Sequence, residues 1–314
     1  MLADVALYLL FLAAGAAALY GGAELLVAGA GRLALGLGLR AATVGVTVIA
    51  LATTAPELFV ATIGALDVSA DIGLGAIVGS NIANIGLVLG IAALIRPLQV
   101  SPVVLRRHVP FMVLAAVLLL AFGANGRIGR LEGAVFLLVL AGFTGYLLYW
   151  VNADPAPAVD HPGAYDGVAG RDVALVLGGL LALVVGSRWL ITGGVGLLSA
   201  MNVPDLVIGL TVLALGTSLP ELAASVVGAI RDETAFSIGN VVGSNIYNVL
   251  AVLGVVSLVV PIQVAPSTLR FELPAMVAFT LLLVGMMARG RELGRLDGAI
   301  LVCSYVAFLL LLIT

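Results

Sequence analysis

Charge is what this sequence has least of: Asp, Glu, Lys and Arg make up 10% of its 314 residues. A soluble domain carries roughly 25%, so a chain this poor in charge, with 62% hydrophobic residues, cannot cover its surface in water. It reads as a polytopic membrane protein. Lysine is missing altogether, all 14 basic residues being arginine, and the net charge of −3 is too small to point to nucleic acid. The lone cysteine, Cys303, excludes a disulfide within the chain. The start of the chain lacks the basic region of a signal peptide. Its apolar run continues past Tyr20 and Glu24 towards Gly31, so it reads as a first spanning helix.

What is there is a succession of apolar runs. A helix needs about 20 mainly apolar residues to cross a bilayer. Ten runs qualify: 4–31, 41–66, 72–95, 106–123, 130–151, 172–198, 205–230, 236–260, 270–288 and 296–313. Between the fifth and sixth, residues 152–171 hold Pro155, Pro157 and Pro162 among aspartates, a polar linker without helical period.

The two sides of that linker repeat each other at a constant offset of 164 residues. Gly45 and Thr47 return as Gly209 and Thr211, Pro56-Glu57 as Pro220-Glu221, and Gly79-Ser80-Asn81-Ile82 as Gly243-Ser244-Asn245-Ile246. Asn84 returns as Asn248, and Pro97, Gln99, Pro102, Arg106 and Pro110 as Pro261, Gln263, Pro266, Arg270 and Pro274. One inserted residue later, Gly129-Arg130-Leu131-Glu132-Gly133 matches Gly294-Arg295-Leu296-Asp297-Gly298. The expected organisation is a five-helix repeat (1–151), a linker (152–171) and a second five-helix repeat (172–314). An odd number of spans per copy turns the second copy upside down relative to the first. Cytoplasmic loops carry the excess of arginine. An outside N-terminus puts ten arginines inside and three outside, with Arg188 within a span, which predicts both termini outside and a cytoplasmic linker.

Ionisable residues inside spans are costly and are functional candidates. Glu57 and Glu221 are repeat equivalents, each directly after a proline in mid-span. Ala50, Thr53, Thr54 and Glu57 share one helix face, as do Ala214, Thr217, Ser218 and Glu221. Pro56 and Pro220 clash with the carbonyls four residues back, at Ala52 and Gly216, so each helix should open there. Broken backbone at membrane depth is tolerated only where it is buried or lines a cavity. The next span of each copy adds Ser80 and Asn84, then Ser244 and Asn248, each pair one turn apart. Carboxylate, hydroxyl, amide and carbonyl oxygens in one place make a hard-oxygen site for Ca²⁺ or Na⁺, and the lack of His or Cys nearby disfavours zinc and copper. A single Ser, Thr or Asn in a span is equally well explained as glue between helices. Two glutamates at equivalent positions, each with its own polar stripe, are not. Glu24 and Arg188, equivalent but opposite in charge, suggest a structural or gating role, paired with each other or with headgroups. Asn81 and Asn245 point away from the stripes and read as packing, and Asp67, Asp71, Asp232 and Glu233 as solvated ends.

Gly216-Thr217-Ser218-Leu219-Pro220-Glu221 and Gly243-Ser244-Asn245-Ile246, with Ala52-Thr53-Thr54-Ala55-Pro56-Glu57 and Gly79-Ser80-Asn81-Ile82 in the first copy, resemble the repeated motifs of the sodium/calcium exchangers of the cation/Ca²⁺ antiporter superfamily, prokaryotic ten-helix type. The resemblance covers essentially the whole chain. It implies a multi-pass protein of the prokaryotic plasma membrane, not an enzyme, working as a monomer without a cofactor, whose only partners are Ca²⁺, Na⁺ and the bilayer. It implies Glu57 and Glu221 as central Ca²⁺ ligands, aided by the carbonyls of Thr53 and Thr217. Sodium sites would flank them, using Ala50, Thr54, Ser80 and Glu221 on one side and Ala214, Thr217, Ser218, Ser244 and Glu57 on the other. Asn84 and Asn248 complete the middle layer, and the first and sixth spans form a sliding gate. Some relatives carry aspartate where Asn248 stands, so K⁺ co-transport is disfavoured. The expected activity is electrogenic Na⁺-for-Ca²⁺ antiport. A divalent-cation/H⁺ antiporter on the same scaffold is the alternative, and a cation channel a more distant one.

Overall fold

Apolar runs of this length have one local solution in a bilayer, because helices alone satisfy their own backbone without water or a closed barrel. A computed structural model describes residues 2–36, 43, 45–54, 57–58, 61–62, 70–153, 169–201, 216 and 218–313. In chain order it contains α1 (Leu2–Gly36) and α2 (π-helical Gly45–Ile49, then Ala50–Thr53). Next comes α3, built from Ala70–Ala83, a π-helical turn Asn84–Leu89 and Gly90–Ile95. Strand β1 (Leu98–Gln99) leads to α4 (π-helical Val104–His108, then Val109–Gly123), β2 (Arg127–Ile128) and α5 (Arg130–Ala153). The second half holds α6 (Gly170–Ala200), α7 (Leu219–Ile230) and α8, which comprises Thr234–Tyr247, π-helical Asn248–Leu253 and Gly254–Val259. It closes with β3 (Ile262–Gln263), α9 (π-helical Thr268–Glu272, then Leu273–Gly290), β4 (Glu292–Leu293) and α10 (Arg295–Ile313). Among the described residues eight helices are long and apolar enough to cross a membrane, and α7 is shorter but apolar.

The spans read at 72–95, 106–123, 130–151, 172–198, 236–260, 270–288 and 296–313 coincide with helices to within a few residues, α1 is longer than read at 35 residues, and the spans read at 41–66 and 205–230 lie partly outside the described residues. At 1.5 Å per residue α1 is about 52 Å long, well beyond the ~30 Å hydrocarbon core, so it must tilt or protrude. Three glycines spaced seven apart on each of α1 and α6 let them meet backbone to backbone. A Cβ at Gly15 would lie 2.8 Å from the Gly186 oxygen, and one at Gly22 would lie 2.9 Å from the Gly179 oxygen. Farther along, Gly29 abuts Val176 and Gly193 abuts Leu12. Contact positions rise on α1 as they fall on α6, so the pair is antiparallel. Small residues are what permit such approach in a membrane.

The buried apolar side chains form two separate clusters. One centres on α1 and α6, with Leu26, Val27, Val176 and Leu183, and reaches Ala224, Val227 and Phe236. The other fills the remaining helices around Ile82, Ile85, Leu119, Phe136, Phe143, Ile246 and Leu250. Two short antiparallel ribbons tie that second body together. Leu98 and Gln99 pair with Leu293 and Glu292, while Arg127 and Ile128 pair with Gln263 and Ile262. Each ribbon is extended by one bond, Val100 N–H to the Arg291 carbonyl at 2.8 Å and Val264 N–H to the Gly126 carbonyl at 2.9 Å. Gly126 and Arg291 both adopt positive φ (82° and 52°), the left-handed turn that ends α4 and α9.

Candidate functional site

Proline decides where the site opens. Pro220 stands in the first turn of α7, where its missing N–H costs nothing, and Ser218 before it has left helical geometry with φ −88° and ψ 3°. The helix therefore starts afresh there, and Glu221 sits in its first turn, where the unpaired N–H groups favour negative charge. In the first copy the chain turns at the equivalent residue, Thr54, just after α2. Pro56, Ala214 and Thr217 lie outside the described residues. The π-helical turns begin at Asn84 on α3 and Asn248 on α8, which are repeat equivalents. Wide turns of this kind are frequent at functional sites.

Every described candidate is buried: Ala50, Thr53, Thr54, Glu57, Ser80, Asn84, Ser218, Glu221, Ser244 and Asn248 are each at most 3% exposed. Bonds across the halves bring them together. The Ser80 and Ser218 hydroxyls are 3.2 Å apart, and the Asn248 amide donates to the Ser80 hydroxyl at 3.4 Å. The Ser244 hydroxyl donates to Glu221 Oε1 at 3.5 Å, and the Thr53 hydroxyl to the Ala50 carbonyl at 3.3 Å. Glu57 and Glu221 are near enough to interact electrostatically, and the Ser80 hydroxyl lies beside Glu57. No arginine pairs with either glutamate among the described residues.

Six buried side-chain oxygens here lack a hydrogen-bond partner among the described residues: both of Glu57, Oε2 of Glu221, Oδ1 of Asn84 and of Asn248, and Oγ1 of Thr54. Ca²⁺ takes 6–8 oxygen ligands and Na⁺ is an equally hard ion. Among the described residues no group of three or more His, Cys, Asp or Glu gathers to hold a metal, so the donor set is two carboxylates amid neutral oxygens.

Two sequence expectations are corrected. Asn81 does more than pack: its Oδ1 accepts from the Asn248 amide at 3.0 Å and so positions a site residue. Asn245 turns back to the Val241 carbonyl, as a packing residue would. Glu24 does not pair with Arg188. It pairs with Arg231 at the end of α7, because the antiparallel register carries Arg188 to an exposed face of α6. Asp232 is 69% exposed yet bound to Arg96 at 2.9 Å. Sequence reading also passed over Ser225, Ser237 and Asn240, buried polar residues without polar counterparts in the first copy.

A family model described as "Sodium/calcium exchanger protein" matches residues 7–149 and again 172–314. The chain belongs to the sodium/calcium exchanger family. It is 36% identical over 279 residues to a putative antiporter CaxA of Alkalimonas amylolytica, covering 85% of this chain and 86% of that one. It is 30% identical over 305 residues to the sodium/calcium exchanger MaX1 of Methanosarcina acetivorans, covering 85% and 87%. The solved sodium-calcium exchanger NCX_Mj, soaked with Na⁺ and Sr²⁺, superposes with a TM-score of 0.83 at 28% identity, over 96% of this chain and 97% of that one. Membership of this exchanger family makes the protein an all-helical multi-pass membrane cation transporter and not an enzyme.

Proposed function

We propose that this exchanger moves Ca²⁺ against Na⁺ by alternating access at a midplane site built on Glu57 and Glu221. One observation carries the reading: two buried carboxylates, one from each half, lie close together with no arginine paired to either among the described residues. Burying an unpaired charge costs several kcal/mol per ion. One Ca²⁺, or several Na⁺, relieves that cost, whereas the empty carrier resists changing faces. That reluctance couples the two fluxes. The relatives' names leave Na⁺ and H⁺ both open as counter-ion. The neutral oxygens of Thr54, Ser80, Ser218, Ser244, Asn84 and Asn248 favour Na⁺, since they offer lone pairs to a metal ion but no site for a titrating proton.

In this reading the two copies are inverted about an axis in the membrane plane, with both termini outside and the linker in the cytoplasm. The helix contacts support it. Shifting both partners by 164 turns the Gly15–Gly186 contact into Gly179–Gly22, and the β1–β4 ribbon has its equivalent in β3–β2. The separate apolar cluster of α1 and α6 suits a gate that slides past the other helices. The arginine distribution and the bacterial and archaeal relatives support a prokaryotic plasma membrane as its location. The deciding experiment is radiocalcium uptake into proteoliposomes under an imposed Na⁺ gradient, with a pH gradient alone as the control. Uptake that collapses with the Na⁺ gradient is the expected result. Uptake driven by pH and indifferent to Na⁺ overturns it.

A further inference from the structure

We propose that Ser225, Ser237 and Asn240 form a sodium waypoint one helical turn from Glu221, on the route towards the face where α7 joins α8. The proposal rests on the exchange reading above. Ser225 follows Glu221 by four residues on α7, and Asn240 precedes Ser244 by four on α8, so the group lies one turn along from the Ser244–Glu221 contact. All three side chains are 0% exposed. The Ser237 hydroxyl donates to the Ser225 carbonyl at 2.8 Å, and the Asn240 amide donates to the Ser225 hydroxyl at 3.2 Å. Asn240 Oδ1 is left buried without a partner among the described residues.

Those two bonds would serve as glue between α7 and α8, but glue does not account for an acceptor held in the interior with nothing to accept from. Nor does it account for the first copy, where the equivalent positions are Ala61, Gly73 and Ala76. Both copies need the same packing, yet one alone carries the oxygens. An amide oxygen and hydroxyls, without a carboxylate, suit a monovalent hard cation that has shed part of its water. The Glu221 charge one turn away supplies the attraction. Beside the group lies a narrow crevice lined by Val27, Ala30, Gly31, Glu233 and Phe236.

The test uses the full chain in proteoliposomes of known orientation, with Na⁺ titrated separately at each face. Asn240→Ala is expected to raise the half-saturating Na⁺ several-fold at the α7–α8 face alone, and Asn240→Asp to lower it there. Equal shifts at both faces, or none at either, overturn the waypoint. Should Asn240→Ala fail to fold, Ser225→Ala, which keeps the carbonyl bonded to Ser237, is read in the same titration and by the same criteria. Wild-type vesicles without Na⁺-driven Ca²⁺ uptake would sink the exchange reading. Wild-type exchange with a face-blind Asn240→Ala sinks the waypoint alone.

Discussion

Replacing Glu57 by Gln keeps the side chain's shape and removes one charge from the buried pair. Neither Glu57 oxygen has a hydrogen-bond partner among the described residues that would compensate for the loss. A Ca²⁺ ion about 2.5 Å from a carboxylate oxygen gains roughly 13 kcal/mol of direct attraction at an effective dielectric of about 20, twice the figure for Na⁺. Hydration of the released ion cancels most of that gross value. If only a fifth survives as a net loss, Ca²⁺ affinity still falls about a hundredfold, each ~1.4 kcal/mol being a factor of ten. The same substitution removes the repulsion from Glu221. The ion-free variant should therefore melt higher than the wild type in detergent while losing the Ca²⁺-dependent rise in melting temperature, which follows from ligand linkage. Radiocalcium uptake under a Na⁺ gradient should fall to background. Misfolding would lower the melting temperature, so the two causes separate. Uptake within about threefold of wild type, with the Ca²⁺-dependent stabilisation intact, refutes the assignment of Glu57.

Three further outcomes are expected. Acidification should inhibit exchange, because each protonated carboxylate loses a charge and a lone pair just where the cation binds; initial rates that stay flat from mildly acidic to alkaline pH would contradict this. Gly22→Leu should force α1 off α6, since even a Cβ there would sit 2.9 Å from the Gly179 oxygen, whereas Gly21→Ala meets nothing within 4 Å. The first should lower stability by about 1–3 kcal/mol and the second leave it near wild type, as read by thermal unfolding. Glu24→Gln and Arg231→Gln should each cost about 1 kcal/mol or less, the pair being partly exposed, and the double variant should cost no more than either. Fully additive effects would mean the two groups do not interact.

How much of this was legible beforehand depended on whether a residue had a twin. Glu57 and Glu221 announced themselves because charge in an apolar span is rare and the same charge recurs at a fixed offset. The break before Glu221 was readable from Pro220, since proline's missing N–H and ring clash are local chemistry. The π-helical turns at Asn84 and Asn248 were not, because one extra residue in a helical turn leaves no mark on composition. Their consequence was missed with them: Asn81, a helix position away from Ser80, reaches Asn248 across the interface. The partner of Glu24 was likewise hidden, because the register of α1 against α6 and α7 is set by glycine packing and not by charge. Ser225, Ser237 and Asn240 escaped notice through having no polar twins.

The two ribbons limit how the molecule can move. Each joins a strand of one half to a strand of the other, and α4, running from β1 to β2, sets them at opposite ends of the bundle. Backbone pairing is thus clasped at both rims, so the halves cannot part like the covers of a book without tearing main-chain bonds at one rim or the other. α1 and α6 take no part in either clasp, as the proposed sliding gate requires. An ion path would then open along the flank of a body that itself keeps its shape.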